Sequence, residues 1–315
     1  MERETTQGEK KLIVIAGPTA SGKTALGIAL AQRLDGEIVS ADSMQIYRGM
    51  DIGTAKATPE ERAAVPHHML DLLEPGENYS VSRYVEDASA VCEMLFQKGK
   101  QPIVVGGTGL YIDALLAGWQ FAGAPEENAD TRKALSEEYD SLGGAEMLER
   151  LRAVDPERAA KLAPTDRRRI IRALEVFALT GKSITEHDEQ TRRQPPAYPA
   201  LYAVLNFSER KKLYERIEER VDRMCEKGLF AETEALLRRG VPDESTCMQA
   251  IGYRQAAQAL RGEVSREEAV ALIKQATRRY AKRQLTWFRR HEEALWLEPD
   301  RMTVEEMVDA VVKRF

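Results

Sequence analysis

Short apolar runs alternate along the chain with longer segments in which apolar residues recur three and four positions apart. The runs at residues 12–16, 37–41, 102–105 and 201–205 predict buried strands, and the run at 295–297 predicts a short last strand. The segments between these runs predict helices, most of them bounded by glycine, proline or a capping residue. Strands that alternate with helices are typical of an α/β protein with a parallel sheet.

One stretch in the middle of the chain departs from this alternation. From Asp130 to Gly181 the pattern is helical throughout and no strand intervenes. The expected helices are Thr131–Asp140, Ala145–Val154, Pro156–Leu162 and Asp166–Thr180. The proline-containing segment Gly181–Pro199 predicts a connector back to the sheet. The domains that we expect are a core of residues 1–118 and 200–315 and an all-helical insertion at 119–199.

Other local signals refine the prediction for the core. Residues 48–73 predict loop and a short helix, because glycine and proline interrupt every periodic pattern there. Within them His67 and His68 are adjacent, so their side chains point apart, which favours a structural role over a metal site. Ser208 is expected to cap a long helix, and residues 267–290 predict another.

Residues 17–24 read GPTASGKT, which has the form GxxxxGK[ST], between the first strand and the first helix. Its glycines let the backbone curl so that amide groups point at an anion, and the helix N-terminus adds positive charge. Lys23 would place its charge on the phosphates, and the Thr24 hydroxyl would coordinate Mg²⁺. We therefore expect a P-loop-type parallel sheet flanked by helices. The residues expected to bind phosphate are Gly17, Pro18, Thr19, Ala20, Ser21, Gly22, Lys23 and Thr24.

Asp42 ends the second strand, where groups of an open α/β sheet face the ligand crevice. The following serine makes a helix-capping role equally compatible with the sequence. The third strand runs into Gly106, Gly107 and Thr108, at the place where ATPases and GTPases usually carry an aspartate for Mg²⁺. Either Asp42 supplies that carboxylate, or the loop does not serve nucleotide hydrolysis.

Composition limits the class of protein. The 315 residues carry a formal net charge of −5, so a nucleic-acid partner would have to be met by a local basic patch. The three cysteines are scattered, which supports neither disulfides nor a zinc site and fits a reduced cytoplasm. No apolar run reaches transmembrane length, and the polar first eleven residues do not resemble a signal peptide. We expect a cytoplasmic monomer without membrane association.

Two segments carry local positive charge. Arg167, Arg168, Arg169 and Arg172 crowd the first turns of one insertion helix, where they oppose the helix dipole, which suggests an external anion or a solvated basic face. A second group of cations lies between residues 269 and 291 with no acid among them. It consists of Lys274, Arg278, Arg279, Lys282, Arg283, Arg289 and Arg290, with Tyr280, Trp287 and Phe288 interleaved. This pattern fits a nucleic-acid surface or a basic amphipathic helix with its aromatic side chains packed inward.

The residues alone leave three functions open. A small-molecule kinase would transfer phosphate and would not depend on RNA. A transferase would hold a diphosphate leaving group in the loop and act on a nucleic acid. An RNA-binding module would use the loop as a nucleotide-controlled switch without chemistry.

Several further segments make the chain similar to the tRNA dimethylallyltransferases, in order over nearly its whole length. They are GPTASGKT at 17–24, ADSMQIYRGMDIGTAK at 41–56, VGGTGLY at 105–111, QAIGYRQ at 249–255 and TRRYAKRQLTWFRR at 277–290. The first motif is shared with many families, whereas the second and the last are far more specific. The C-terminal zinc finger of the eukaryotic members is absent, in agreement with the cysteine count.

The resemblance implies transfer of a dimethylallyl group from dimethylallyl diphosphate to the exocyclic amine of an adenine. In this family that adenine lies 3′ of the anticodon in tRNAs that read codons beginning with U. The family's general base matches Asp42, and Thr19 and Arg220 match positions on the diphosphate side. The helical insertion and the basic last long helix argue against a related enzyme that prenylates free adenine nucleotides, since a mononucleotide needs neither.

The resemblance also implies an RNA side, at which the helical insertion grips the anticodon stem-loop. The target adenine would be flipped out of its stack to reach the pocket. The residues that we expect to contact tRNA are Asp42, Ser43, Met44, Gln45, Thr108, Arg132, Arg168, Arg169, Arg172, Gln249, Gly252, Arg254, Lys282, Arg283, Gln284, Trp287 and Arg289.

Overall fold

The structure is a computed structural model that describes residues 10–119, 129–192 and 195–315. Its described residues up to 116 and from 198 onward form one compact unit, the core unit. Those from 117 to 197 form a second, the insertion unit. Among the described residues no helix is long and apolar enough to cross a membrane.

The core unit is built on one sheet of six parallel strands in the order β3-β2-β4-β1-β5-β6. The strands are β1 (Leu12–Ala16), β2 (Gly36–Ala41), β3 (His67–His68), β4 (Gln101–Gly106), β5 (Ala200–Leu205) and β6 (Leu295–Leu297). Five of them were predicted from apolar runs, and the parallel α/β sheet is confirmed. The loop predicted at residues 48–73 was wrong at β3, because two histidines are too short a run to show a strand pattern.

The described residues form fourteen α-helices. They are α1 (Lys23–Arg33), α2 (Pro59–Ala64), α3 (Val81–Gln97), α4 (Gly109–Ala117), α5 (Ala129–Leu142), α6 (Gly144–Val154), α7 (Pro156–Ala159), α8 (Arg167–Thr180), α9 (Ile184–Arg192), α10 (Arg210–Glu226), α11 (Leu229–Arg238), α12 (Tyr253–Leu260), α13 (Arg266–Phe288) and α14 (Val304–Arg314).

Helices cover both faces of the sheet, so β1 is completely buried. On one face α3 and α4 pack on the strands, where the rings of Tyr84 and Tyr111 stack with centroids 4.2 Å apart. On the other face α1 and α14 contribute Leu30 and Val311 to a second core. Because both faces are closed, the open edge at the carboxyl ends of the strands is where side chains can meet a ligand.

Every secondary-structure element that the structure describes in the insertion unit is a helix, as the sequence predicts. Its core gathers the apolar faces of α5, α6 and α8 around Met147, Leu151 and Ile170. The connector predicted at Gly181–Pro199 was wrong, because α9 occupies its first half. That helix holds one apolar residue and shows no periodicity. The sequence does carry a helix start signal, Ser183 followed three residues later by Glu186. In the structure Glu186 accepts hydrogen bonds from the backbone N–H and the hydroxyl of Ser183.

The capping role predicted for Ser208 was also wrong. Helix α10 starts at Arg210, with Glu209 at the capping position. Ser208 instead donates its backbone N–H and its hydroxyl to Asp300, at 3.0 and 2.6 Å. Burial alone would raise the pKa of Asp300, but these bonds and one from Lys212 hold it well below its ordinary value. The sequence could not reveal a partner that lies 92 positions away.

Candidate active site

A cavity of about 1080 Å³ in the core unit lies where β1, β2 and β4 end. Residues 19–24 line one wall of this cavity, and Asp42 to Gln45 line another. Helices α10 and α13 close it with side chains that include Arg220 and Gln284. One concave site therefore collects most of the residues that the sequence predicts for phosphate and for the acceptor base.

The loop of residues 17–24 is curled by left-handed backbone angles. Gly17 has a φ of +149°, and a Cβ there would lie 2.8 Å from the carbonyl oxygen of Leu205. Gly22, with a φ of +94°, takes the capping position of α1. Ala20 is also left-handed, at +64°, although it is not glycine. A non-glycine residue held in this region is typical of a loop shaped for a ligand.

Lys23 is a cation of the cavity whose pKa lies far below its ordinary value. Its ammonium donates to the carbonyl oxygen of Pro18 at 2.7 Å. Burial, followed by repulsion from Arg220, lowers the pKa of Lys23 to about 7, while Asp42 acts in the opposite direction. The pKa of Arg220 is lowered as well, chiefly by burial. Two cations crowded beside a curled loop favour an anion as the ligand.

Asp42 uses one of its two carboxylate oxygens to shape the chain. Its Oδ1 accepts the N–H of Met44 at 2.9 Å and that of Gln45 at 3.4 Å. Among the described residues no hydrogen bond reaches Oδ2, and Asp42 lines the cavity. No helix of the described residues starts directly after Asp42, so the alternative of a helix-capping role was wrong: the carboxylate holds a turn through Oδ1 and lines the cavity with Oδ2 free of the turn.

Gln45 and Arg220 are tied to the same segment of loop. The Gln45 amide donates to the carbonyl oxygens of Thr54, at 3.3 Å, and Ala55, while its oxygen accepts the Ser40 hydroxyl at 3.1 Å. Arg220 donates to the same Thr54 carbonyl at 3.4 Å. The Gln45 amide is thus used inside the protein, and Ser43 and Met44 line the cavity beside it.

Gln284 joins the phosphate-side loop to the loop after β4. Its oxygen accepts the backbone N–H of Thr19 at 2.9 Å, and its amide donates to the carbonyl of Gly107 at 2.9 Å. The side chain is 5% exposed. The next residue, Thr108, accepts the backbone N–H of Ser43 at 3.2 Å. Gln284 was predicted on the RNA side, whereas these contacts place it between the two halves of the cavity.

Helix α13 presents a mixed face. Lys282, Arg283 and Arg289 are exposed, as an RNA-facing role requires. Other cations of this helix are paired across to α10, Lys274 with Asp222 and Arg278 with Glu218. The acids of these pairs lie on α10 and not within the basic segment, so the sequence of the segment did not predict the ion pairs.

Trp287 faces inward on α13. Its indole N–H donates to Asp113 at 2.8 Å, and a Cβ on Gly109 would lie 2.3 Å from its ring. Both nucleic-acid stacking and inward packing were compatible with the sequence, and the structure has this aromatic packed against α4.

The segment from Gln249 to Arg254 also contributes to the cavity. Gln249 lines it, with its amide donated to the carbonyl of Asp243 at 2.7 Å. Gly252 lines it from a buried position and starts α12 with a φ of +101°. Arg254 is exposed on the following turn.

In the insertion unit the predicted arginines divide into two pairs. Arg132 and Arg172 both bond to Glu175, whose side chain is fully buried, at 2.9 and 2.8 Å. Arg168 and Arg169 are exposed on the first turn of α8, and Arg169 lies 3.6 Å from Asp166. The first pair holds the insertion unit together, and the second pair is available at its surface.

The Glu175 cluster gives a prediction for stability. Burial raises the pKa of Glu175, but hydrogen bonds from Arg132 and Arg172 hold it below its ordinary value. The stabilisation is therefore present above the ordinary carboxyl pKa and is lost as the pH falls through the lower folded-state value. We expect Glu175→Gln to cost about 2 kcal/mol at pH 7 and less at pH 3, which lies below the ordinary carboxyl pKa.

Urea unfolding at both pH values, with hydrogen exchange of the α5 and α8 amides, measures this effect. Glu137→Gln is the matched control, because Glu137 is exposed on α5. An equal loss of stability for Glu175→Gln at the two pH values would contradict the prediction.

Two residues with many site contacts were missed. Glu232 accepts the backbone N–H groups of Asp51, Ile52 and Gly53, at 2.9 to 3.1 Å, together with the Tyr253 hydroxyl. Nothing in the sequence distinguished it from other acids on an amphipathic helix. Tyr280 lines the cavity and interacts with Thr108 and Gln284. It stood in the basic segment as one aromatic among three.

A magnesium ion would find few protein ligands here. Within the residues that the structure describes, no three acidic, histidine or cysteine side chains are placed to hold a metal. Thr24 and Asp42 line the same cavity. One hydroxyl and one carboxylate fit the usual habit of Mg²⁺, which keeps several waters and binds largely through substrate phosphates.

Comparison with known proteins adds independent information. The family model described as IPP transferase matches residues 45–291, and that described as isopentenyl transferase matches residues 10–71. The tRNA dimethylallyltransferase of Carboxydothermus hydrogenoformans is 46% identical over 303 residues, which cover 96% of each chain. The tRNA dimethylallyltransferase 1 of Pelobacter propionicus is 49% identical over 91% of this chain and 92% of its own.

Solved structures agree with these relatives. The full-length tRNA isopentenylpyrophosphate transferase from Bacillus halodurans is 38% identical and superposes with a TM-score of 0.71 over 97% of both chains. A eukaryotic dimethylallyltransferase acting on tRNA is 30% identical, with a TM-score of 0.75 over 92% of this chain and 74% of that one. From its motifs, its sheet and these matches, the chain belongs to the tRNA dimethylallyltransferase family.

Proposed function

We propose that this protein transfers a dimethylallyl group from dimethylallyl diphosphate to the exocyclic amine of an adenine in tRNA. The observation that carries the proposal is one cavity that joins a curled, cationic loop to the open carboxylate oxygen of Asp42. The loop suits a diphosphate, and the carboxylate suits a weakly basic amine that must lose a proton. The names of the relatives support the same reaction over a small-molecule kinase.

The donor end of the cavity would stabilise the leaving group. The backbone of residues 19–24, with Lys23 and Arg220, lines the end of the cavity where charge would develop on the departing pyrophosphate. Thr19 stands at the start of this wall, with its amide held by Gln284. Magnesium, held by Thr24 and the diphosphate oxygens, would add Lewis-acid stabilisation of the same charge.

The acceptor end would activate the amine. The adenine nitrogen attacks the allylic carbon, a C–N bond forms, and the carbon–oxygen bond to the diphosphate breaks. The amine proton passes to Oδ2 of Asp42, the oxygen that is free of the turn. The base must leave its stack to bring its amine to Asp42 in the cavity wall.

The RNA would be positioned outside the cavity by charge. The exposed cations Lys282, Arg283 and Arg289 of α13, and Arg168 and Arg169 of the insertion, suit phosphate contacts with an anticodon stem-loop. We propose that the target is the adenine 3′ of the anticodon in tRNAs that read codons beginning with U. We further propose that the protein acts as a monomer in the cytoplasm.

Mass spectrometry of nucleosides tests the reaction. Unmodified tRNA is incubated with the protein, Mg²⁺ and dimethylallyl diphosphate, and in parallel with ATP in place of the diphosphate. We expect a prenyl mass increment on one adenosine in the first tube alone. Unmodified tRNA in both tubes, with ATP consumed in the second, would instead support a kinase.

Lys23 gives a test of the donor site that does not depend on turnover. Because the pKa of Lys23 is about 7 in the free protein, its side chain is largely the neutral amine at pH 8. A bound pyrophosphate stabilises the charged form, so binding draws a proton onto Lys23. At pH 8 we expect the wild-type protein to take up nearly one proton more per pyrophosphate bound than Lys23→Met does.

Calorimetric titration with pyrophosphate in two buffers of different ionisation enthalpy counts these protons. Protons exchanged by pyrophosphate itself cancel in the difference between the two proteins. Equal proton uptake would mean that Lys23 is already charged in the free site.

A further inference from the structure

We propose that the Tyr280 hydroxyl donates a hydrogen bond to a ring nitrogen of the acceptor base and thereby helps to select adenine beside Asp42. The inference rests on the proposed function and adds a specificity-determining residue to it. Neither the sequence motifs nor the matches to relatives single out this tyrosine.

The position of Tyr280 suits a contact with the base. It lies on α13 one turn before Gln284, and its side chain lines the cavity. Its hydroxyl interacts with the side chains of Thr108 and Gln284, and the Asp42 carboxylate is close enough to influence its ionisation. The ring of Tyr280 is covered by the guanidinium of Arg283, 5.5 Å from its centroid.

The hydrogen-bond inventory around Tyr280 leaves one donor over. Among the described residues no hydrogen bond holds the Tyr280 hydroxyl, and Thr108 and Gln284, which lie beside it, act to lower its pKa as donors to the phenolic oxygen do. Gln284 has a second amide hydrogen for Gly107, and its oxygen takes the Thr19 N–H. The hydroxyl hydrogen of Tyr280 has no acceptor among the residues that the structure describes. A donor left over in a cavity wall is expected to meet its acceptor on the ligand.

Neighbouring groups keep that hydrogen in place. Burial, and then the charge of Asp42, raise the pKa of Tyr280 to about 12. The phenol is therefore protonated over the whole range in which tRNA is stable, so it acts as a donor and never as a base. Asp42 is the acceptor for the amine proton, and Tyr280 is the donor beside it.

Adenine has acceptors where this donor needs them. Its exocyclic amine lies between two ring nitrogens, N1 and N7, each with a free lone pair. When the amine approaches Oδ2 of Asp42, one of these nitrogens is carried to the Tyr280 side of the cavity. Guanine carries an oxygen in place of the amine and a hydrogen on N1. A site with a carboxylate acceptor next to a hydroxyl donor therefore matches the edge of adenine.

The test compares Tyr280→Phe with the wild-type protein on three anticodon stem-loops. They carry adenosine, 1-deazaadenosine or 7-deazaadenosine at the target position, and kcat/KM is measured on each. Tyr214→Phe is the control, because Tyr214 lies on α10 and has no described hydrogen bond. Comparing two proteins on the same base cancels the change in amine reactivity that each deaza substitution brings.

We expect Tyr280→Phe to lower kcat/KM about tenfold on adenosine, which corresponds to one hydrogen bond. On one deaza substrate the two proteins should be equal within about twofold, and that substrate identifies the nitrogen. Tyr214→Phe should equal the wild type on all three. An equal loss for Tyr280→Phe on all three bases, or no loss on adenosine, would overturn the inference. Failure of the wild type to prenylate any stem-loop would overturn the proposed function instead.

Discussion

Asp42→Asn should lower the rate of prenyl transfer about a thousandfold while the protein still binds tRNA and pyrophosphate. The amide has the shape of the carboxylate, and its oxygen can still accept the N–H of Met44, so the turn after β2 survives. What it loses is an oxygen that can take a proton. The loss therefore falls on the chemical step, as measured by single-turnover rates with saturating enzyme.

Two further variants separate chemistry from architecture. Asp42→Ala removes the acceptor of the turn as well, so it should be as inactive as Asp42→Asn and also less stable. Asp35→Asn changes an exposed aspartate, and it should leave the single-turnover rate as it is in the wild type. A single-turnover rate for Asp42→Asn within threefold of the wild-type rate would contradict the role of Asp42 as the general base.

Most of the sheet could be predicted from the sequence because its strands are buried on both faces. Such strands appear as continuous apolar runs, and β1 shows this clearly. The elements that were missed carry no such signal. In β3 two polar residues form a strand because β2 offers a free edge, and α9 is a helix with a single apolar residue. Contacts with partners that are distant along the chain determine whether such segments form a strand or a helix.

The sequence predicted the two ends of the site to different extents. The phosphate-side loop has a fixed spacing that follows from backbone geometry, so its curled form and the position of residues 19–24 at the cavity could be predicted in advance. Gln284 was assigned to the RNA side, because a basic segment gives no sign that one amide turns inward to Thr19 and Gly107. The acids that pair with Lys274 and Arg278 were hidden for the same reason.

Glu232 is the clearest case of a residue that the sequence could not reveal, and it should be among the most sensitive to change. We expect Glu232→Ala to lower the free energy of unfolding by about 3 kcal/mol. Its carboxylate accepts three successive backbone N–H groups, of Asp51, Ile52 and Gly53. All three would lose their partner at once, as would the hydroxyl of the fully buried Tyr253.

The consequence for activity follows from what this loop carries. Its next residue, Thr54, supplies the carbonyl that both Gln45 and Arg220 contact. Release of the loop should therefore also raise KM for dimethylallyl diphosphate, since Arg220 loses its anchor at the proposed phosphate site. Glu232→Gln keeps one acceptor oxygen, and it should lie about midway between the wild type and Glu232→Ala in both measurements.

Glu234→Ala is the matched control, two residues further along α11. Its side chain is about half exposed and pairs with Arg238 one turn away, so its removal should cost less than about 0.5 kcal/mol. Urea unfolding measures the stabilities, and steady-state kinetics in the folded range measures KM. If Glu232→Ala has the same free energy of unfolding as Glu234→Ala, the loop does not depend on Glu232 and is held by its own turns. If it loses stability while KM stays constant, the path from Glu232 through Thr54 to Arg220 does not operate.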